Sequence, residues 1–261
     1  MTMLRLFRSR SAPALPLDPP SLGSGRRAYA IGDIHGRLDL LRQLVDRVAA
    51  DDLKRGPVDR TDIILLGDYI DRGPESAGVI DFVMRLRDWW PDSTCLQGNH
   101  EEVFLMAARG DESALRFLTR IGGRETLLSY GASEAELDAM TLGQLRDWLM
   151  ANIPEAHLAF IESMPEKIVI GDYAFVHAGV RPRVPMAEQE ARDLRWIRDE
   201  FLTSSEPHDH FIVHGHSITA TVEERPNRIG IDTGAYASGI LTAVGLEGTD
   251  RWFMSTAPDA G

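Results

Sequence analysis

Short unbroken apolar runs alternate with stretches of helical periodicity over the first hundred residues. Ala28 to Ile31 is apolar and stops at Gly32-Asp33, which predicts a strand. From Leu38 to Ala50 the apolar residues Leu40, Leu41, Leu44, Val45 and Val48 keep helical spacing. Asp62 to Leu66 is a second strand and runs into Gly67-Asp68. Ser76 to Trp90 reads as a helix that Pro91 stops, and Thr94 to Leu96 as a third strand ending at Gly98-Asn99-His100. Strand, helix, strand, helix, strand is the pattern of an α/β sheet with crossover helices.

The next stretch, Glu101 to Met164, is mostly helical, with Leu115, Leu118, Leu127 and Leu128 as core positions. Leu142, Leu145, Trp148 and Leu149 form a second apolar face, and Ile153 to Met164 comes behind Pro154. Weak punctuation argues for an insertion on the sheet rather than a separate domain. Beyond it strands dominate. Lys167 to Ile170, the turn Gly171-Asp172 and Tyr173 to Val176 predict a hairpin. Leu194 to Phe201 predicts one short helix, and His210–Val213, Arg228–Ile231, Ile240–Leu246 and Arg251–Met254 predict later strands. Residues 1–27 break this regularity. Five arginines and four prolines there, without a secretory apolar stretch, predict a flexible basic arm ahead of one domain over 28–256.

Composition narrows the function classes. The chain has 261 residues and a formal net charge of −12, which disfavours a protein that coats nucleic acid. No apolar run is long enough to span a bilayer, so no membrane partner is expected. The single cysteine, Cys95, leaves no intrachain disulfide and fits a reducing, cytoplasmic compartment.

Chemistry gathers where the strands end. Gly32-Asp33-Ile34-His35-Gly36, Gly67-Asp68-Tyr69-Ile70-Asp71-Arg72-Gly73, Gly98-Asn99-His100-Glu101, His177-Ala178-Gly179 and His214-Gly215-His216 each come after an apolar run. In open α/β sheets ligands sit beyond the carboxyl ends of strands. Carboxylate, imidazole and amide groups suit a hard or borderline divalent ion. The set has more donors than one ion needs. Two ions roughly 3.5–4 Å apart would clamp the attacking and leaving oxygens of a phosphoryl transfer. A tetrahedral structural zinc would want paired Cys and His spacings, which this chain lacks.

The order GDxHG, GDxxDRG, GNHE, HAG and GHS, then Ile231-Asp232-Thr233-Gly234-Ala235, resembles the metallophosphoesterase superfamily from about Ala28 to about Met254. GDYIDRG with GNHE is similar to its phosphoprotein phosphatase branch, the bacterial and phage serine/threonine phosphatases. The resemblance implies a calcineurin-like α/β fold, a central β-sandwich flanked by helices with a helical insertion. It implies that Asp33 and His35 bind one metal ion, that Asp68 bridges, and that Asn99, His177 and His216 complete the second site. His100 would be the general acid held by Asp71, acting with a water activated between the ions. Arg72 and Arg198 would grip the phosphate. Mn²⁺ is the expected metal, with iron or zinc as alternatives in one site.

The expected substrate is phosphoserine or phosphothreonine in proteins, or another small phosphate ester. Asp71-Arg72-Gly73 leans towards phosphoprotein, while the metal motifs alone fit a dinucleoside tetraphosphate hydrolase equally well. A nuclease-like phosphodiesterase is disfavoured by the net charge. A non-catalytic module would be expected to have lost a ligand or His100. Two departures from eukaryotic members stand out. Gln97 replaces an arginine before Gly98-Asn99-His100, which implies one fewer phosphate-facing charge, and His177 opens HAG rather than HGG. His216 is preferred to His214 as a ligand because it precedes Ser217. His208, Asp209 and His210 are expected in a solvated loop, His157 and Cys95 in structural positions, and Glu101 at a helix start without a catalytic role.

Overall fold

The computed structural model describes residues 19–257. Ten strands run in chain order: β1 (Arg26–Ile31), β2 (Arg60–Leu65), β3 (Ser93–Cys95), β4 (Lys167–Ile170), β5 (Tyr173–Val176), β6 (Phe211–His214), β7 (Glu223–Arg225), β8 (Arg228–Gly230), β9 (Thr242–Glu247) and β10 (Asp250–Ser255). They form two five-stranded sheets, ordered β10-β9-β1-β2-β3 and β4-β5-β6-β8-β7. β1, β2 and β3 pair in parallel, as do β5, β6 and β8.

Side-chain alternation explains why these strands read as continuous apolar runs. Ala28, Ala30, Ile64 and Leu66 of the first sheet pack against Tyr173, Phe175, Val213 and Ile229 of the second. The intervening residues Tyr29, Ile31, Ile63 and Leu65 point the other way, into a helical core. Strands buried on both faces need apolar residues on both faces. The result is a sandwich of two sheets with helices outside each.

Helices α1 (Leu38–Arg55) and α2 (Ser76–Trp89) cover the first sheet. The insertion adds α3 (Asn99–Ala108), α4 (Glu112–Ile121), α5 (Gly123–Ser129), α6 (Glu134–Ala139), α7 (Leu142–Asn152) and α8 (Glu155–Glu162). Three of these short helices begin on capping side chains: Asp111, Ser133 and Thr141. Phe104, Leu115, Leu127 and Leu149 share one buried cluster with Tyr29 and Leu65, so the insertion has no core of its own. Across the second sheet, α9 (Ala191–Trp196) and α10 (Asp199–Leu202) pack Leu194 and Phe201 onto Ala174, Val176 and Ile212. A last short helix, α11, spans Ala235–Ser238.

Three expectations need correction. The arm was expected to reach Arg27. Its first 18 residues lie outside the described ones, but Leu22, Arg26 and Arg27 are tied into the fold. Leu22 is buried between the sheets and its N–H donates to Gly248 O. Arg26 and Arg27 belong to β1. An apolar count misses them because charge partners bury Arg27. Its guanidinium donates to Glu247 (2.8 Å), Asp52 (2.7 Å) and Gly56 O (3.0 Å). Second, the single helix expected over Leu194–Phe201 is broken at Ile197-Arg198, where Arg198 adopts φ −132°, ψ −102°. Third, β7 was not predicted. Its residues Glu223, Glu224 and Arg225 form a charged edge with no apolar signal.

None of the described helices is long and apolar enough to cross a membrane. Replacing Arg27 with Ala should lower unfolding free energy by about 2–4 kcal/mol, because a buried cation and its hydrogen bonds are lost together. Urea unfolding that shifts by less than about 1 kcal/mol would show that Arg27 does not tie β1 to α1 and β9.

Candidate metal-binding active site

Nine of the ten predicted site residues come after a strand at the same rim of the sandwich, and Arg198 lies between α9 and α10. Asp33 and His35 lie beyond β1. Asp68, Asp71 and Arg72 lie beyond β2. Asn99 and His100 open α3 just past β3, His177 adjoins the end of β5, and His216 lies beyond β6. The loops are joined by their backbones. Ile34 and His35 both donate to Asp68 O (3.0 and 2.8 Å), and Gly215 donates to His177 O (2.8 Å).

Six non-glycine residues have left-handed backbone among those described, and five belong here: His35, Asp68, Asp71, Arg72 and His216. Each costs about 1–3 kcal/mol and persists only where its surroundings fix it. Glu101 supplies much of that fixing. Its fully buried carboxylate accepts the N–H groups of Asp68 (2.8 Å), Tyr69 (2.9 Å) and Gly98 (3.0 Å). Close approach also matters at Gly215, where a Cβ would lie 2.0 Å from Asp33 Oδ1.

Two donor sets meet at Asp68. His35, Asp68 and His100 form one, and Asp68, His177 and His216 the other, with ligand atoms within 4.8 Å of one another in each. Asp68 Oδ2 is 3.5 Å from His35 Nε2, and Oδ1 is 3.4 Å from His177 Nε2. Asn99 Oδ1 joins the second set, 3.0 Å from His177 Nε2. His35 donates Nδ1–H to Ile70 O (2.8 Å) and His177 donates Nδ1–H to Leu66 O (2.9 Å). Both therefore aim an Nε2 lone pair inward, the tautomer a metal ion needs.

The electrostatics also ask for a cation. Burial holds His35 down to about 3 and His216 down to about 2, so both imidazoles stay neutral. Burial, then the carboxylates of Asp232 and Asp68, push Asp33 well above the usual range. Asp68 goes the other way. Burial opposes its charge, but attraction to the surrounding imidazoles in their protonated form, led by His177, outweighs it. His216 Nε2 is buried without a hydrogen-bond partner. Three buried carboxylates, neutral imidazoles and an orphaned ring nitrogen fit divalent cations.

His100 is held differently. Its Nδ1 lies 2.6 Å from Asp71 Oδ2, and Thr126 donates to the other oxygen of Asp71 (2.6 Å). Burial pulls the His100 pKa down, but Asp68 and Asp71 more than offset it, and the net direction is up. Arg72 spans the two imidazoles, 3.0 Å from His35 Nε2 and 3.1 Å from His100 Nε2. A guanidinium only donates, so His100 Nε2 is a bare acceptor while Arg72 sits there.

The chain matches the calcineurin-like phosphoesterase family over residues 26–235. It belongs to that family. The phosphoesterase is 32% identical to a symmetrical bis(5'-nucleosyl)-tetraphosphatase of Dechloromonas aromatica over 155 residues, 59% of this chain and 44% of that protein. It is 29% identical to the enzyme of the same name from Nitrosospira multiformis over 181 residues, 69% of this chain and 53% of that one. The chain thus spans about half the length of these curated relatives. Among solved structures, it superposes on a candidate diadenosine tetraphosphatase with a TM-score of 0.61 at 20% identity, covering 88% of this chain and 93% of that one. A cold-active protein-tyrosine phosphatase of a Shewanella species gives 0.53 at 17% identity, covering 87% and 80%. At such identities these likenesses concern the fold.

The phosphoesterase brings together all ten predicted site residues, with differences of detail. Asp33 lies outside both three-residue donor sets and accepts the His216 N–H (2.9 Å). His100 falls inside one of them although it was expected to be an acid rather than a ligand. Arg198 is exposed at the mouth of the same cavity, of about 500 Å³. His214 points away, with Nδ1–H on Gly215 O (2.9 Å) and Arg228 donating to Nε2 (3.2 Å). Gln97 is buried and turned from the site, accepting from Arg195 (2.7 Å). The cluster near His208 is less solvated than expected. His208 packs on Phe201, and Asp209 accepts the Met186 N–H. Sequence reasoning missed the supports Ser76 and Thr126 and the wall residues Phe117 and Tyr236. Ser76 and Thr126 carry no motif, and their side chains meet Asp71 only through folding.

His216→Ala should retain fewer Mn²⁺ ions than the parent in elemental analysis, and His214→Ala the full complement. Full loading of the first variant would remove His216 from the ligand set. Below its raised pKa, Asp33 holds a proton that a cation must displace, so Mn²⁺ affinity should rise with pH. Calorimetry in buffers of different ionisation heat should register proton release in the parent and less of it in Asp33→Asn.

Proposed function

We propose that this phosphoesterase is a two-metal hydrolase of dinucleoside tetraphosphates. The observation that carries the reading is the name shared by its curated relatives, symmetrical bis(5'-nucleosyl)-tetraphosphatase. The sequence leaned to phosphoproteins through Asp71-Arg72-Gly73. In the structure that motif holds His100 and spans two imidazoles, so it serves any phosphoryl substrate and does not select among them.

Asp33, His35, Asp68, Asn99, His177 and His216 would hold two divalent ions, with Mn²⁺ as first choice. Bound there, the ions would supply water activated near neutral pH and positive charge against the phosphoryl oxygens. Arg72 and Arg198 would grip non-bridging oxygens with planar, paired donors. When Arg72 turns to the phosphate it frees His100 Nε2. Asp68 and Asp71 then favour a proton there, facing the leaving oxygen. A nucleoside diphosphate is a weak base and leaves readily without that proton. A serine alkoxide does not.

The test compares kcat/KM with Mn²⁺ on a dinucleoside tetraphosphate and on a phosphothreonine peptide panel. Faster nucleotide hydrolysis is expected, and faster peptide hydrolysis would return the function to phosphoproteins. His100→Asn should lose roughly 10²–10⁴-fold on an alkyl phosphate and a smaller factor on the dinucleotide. Equal losses on both, together with a missing ion, would make His100 a ligand rather than an acid.

A further inference from the structure

We infer that Phe117 and Trp196 form a stacking platform for one nucleobase of the substrate. The inference rests on the nucleotide reading and says where this chain holds the base. The cavity over the donor residues has two kinds of lining. The polar lining includes His100, Asn99, Arg72 and Arg198; of the aromatic lining, Tyr236 lies by Arg72, while Phe117 and Trp196 lie beside each other. The two rings lie 6.0 Å apart and are tilted by 40°. Phe117, on α4, is 39% exposed and lines the same cavity as Asp68, Arg72 and His100. The cavity volume of about 500 Å³ suits a small-molecule ligand.

The indole is fixed with unusual care. Trp196 Nε1–H donates to the Glu102 carboxylate. The other oxygen of Glu102 accepts from Arg195 (2.7 Å), which also donates to Gln97 (2.7 Å) and to Glu166. Arg195 is itself buried. An ion network linking α3, the segment before β4 and α9 thus sets the plane of one ring. A ring already in place loses little freedom on stacking, and every base offers a π-face. Arg198 comes two residues later, so a phosphate-binding cation and a base-binding ring come from one turn of chain.

The experiment measures binding to the Mn²⁺-loaded full chain by calorimetry, with ADP and pyrophosphate as paired probes. Both carry a diphosphate, and only ADP carries a base. The parent should prefer ADP by about tenfold or more. Phe117→Ala and Trp196→Ala should bring that preference close to unity, while Trp196→Phe should keep most of it. Phe117 is partly exposed, so its variant should melt close to the parent, and it answers the question if Trp196→Ala fails to fold. Equal parental affinity for the two probes overturns the platform, as does a preference that neither substitution moves. A phosphopeptide with a neighbouring aromatic residue that competes at the platform while ADP does not would also overturn it. Because binding is read without turnover, failure to hydrolyse the dinucleotide would remove the proposed function alone.

Discussion

A carboxylate buried where two sheets meet cannot keep its charge without partners, and Asp68 is that carboxylate. His35 and His177 reach it from opposite sides, and His100 and His216 stand behind them. These imidazoles arrive from strands of both sheets, so the donor set around Asp68 is complete only when the sandwich is closed. The site and the fold are therefore one problem. The same burial that keeps the ring nitrogens neutral makes Asp33 resist ionising. A divalent cation resolves both tensions together, and the residues are unbalanced without one.

The second constraint is backbone geometry. Left-handed residues at five site positions aim side chains into one small volume, and each is unfavourable alone. Compensation comes from groups outside the cavity lining. Glu101 ties the loop after β2 to the start of α3. Ser76 and Thr126 both take the Asp71 N–H from different helices. These supports are polar, buried and fully engaged, which is how strained loops become rigid rather than mobile.

The sequence was most informative where chemistry and periodicity coincide. Strands ending in Gly-Asp or Gly-Asn-His were legible because burial on both faces makes them apolar and metal chemistry restricts the residues at their ends. The donor residues were legible for the same reason. Arg27 was not, since its burial depends on Asp52 and Glu247, far away in the chain. β7 was not, because an edge strand needs no apolar face. The break at Arg198 was hidden by good helical spacing on either side. Substrate choice was the least legible, since the motifs encode handling of phosphate and other lining residues such as Phe117 and Tyr236 carry no motif. Asp71-Arg72-Gly73 belongs to that handling of phosphate and does not by itself separate phosphoprotein from dinucleotide.

One seam bears on how such proteins can be rebuilt. Arg72 donates its N–H to Gly122 O (2.9 Å), and a Cβ at Gly122 would lie 2.6 Å from Arg72 Cγ. Gly122 joins α4 to α5, inside the insertion. A minimal enzyme made by excising those helices would strip the backbone partner from the residue that spans His35 and His100. A chimera that exchanges the insertion must import a glycine at that junction with it. Residues one turn earlier, such as Phe117, face the cavity and are open to diversification. A library built on this scaffold can thus vary specificity and must leave the seam intact.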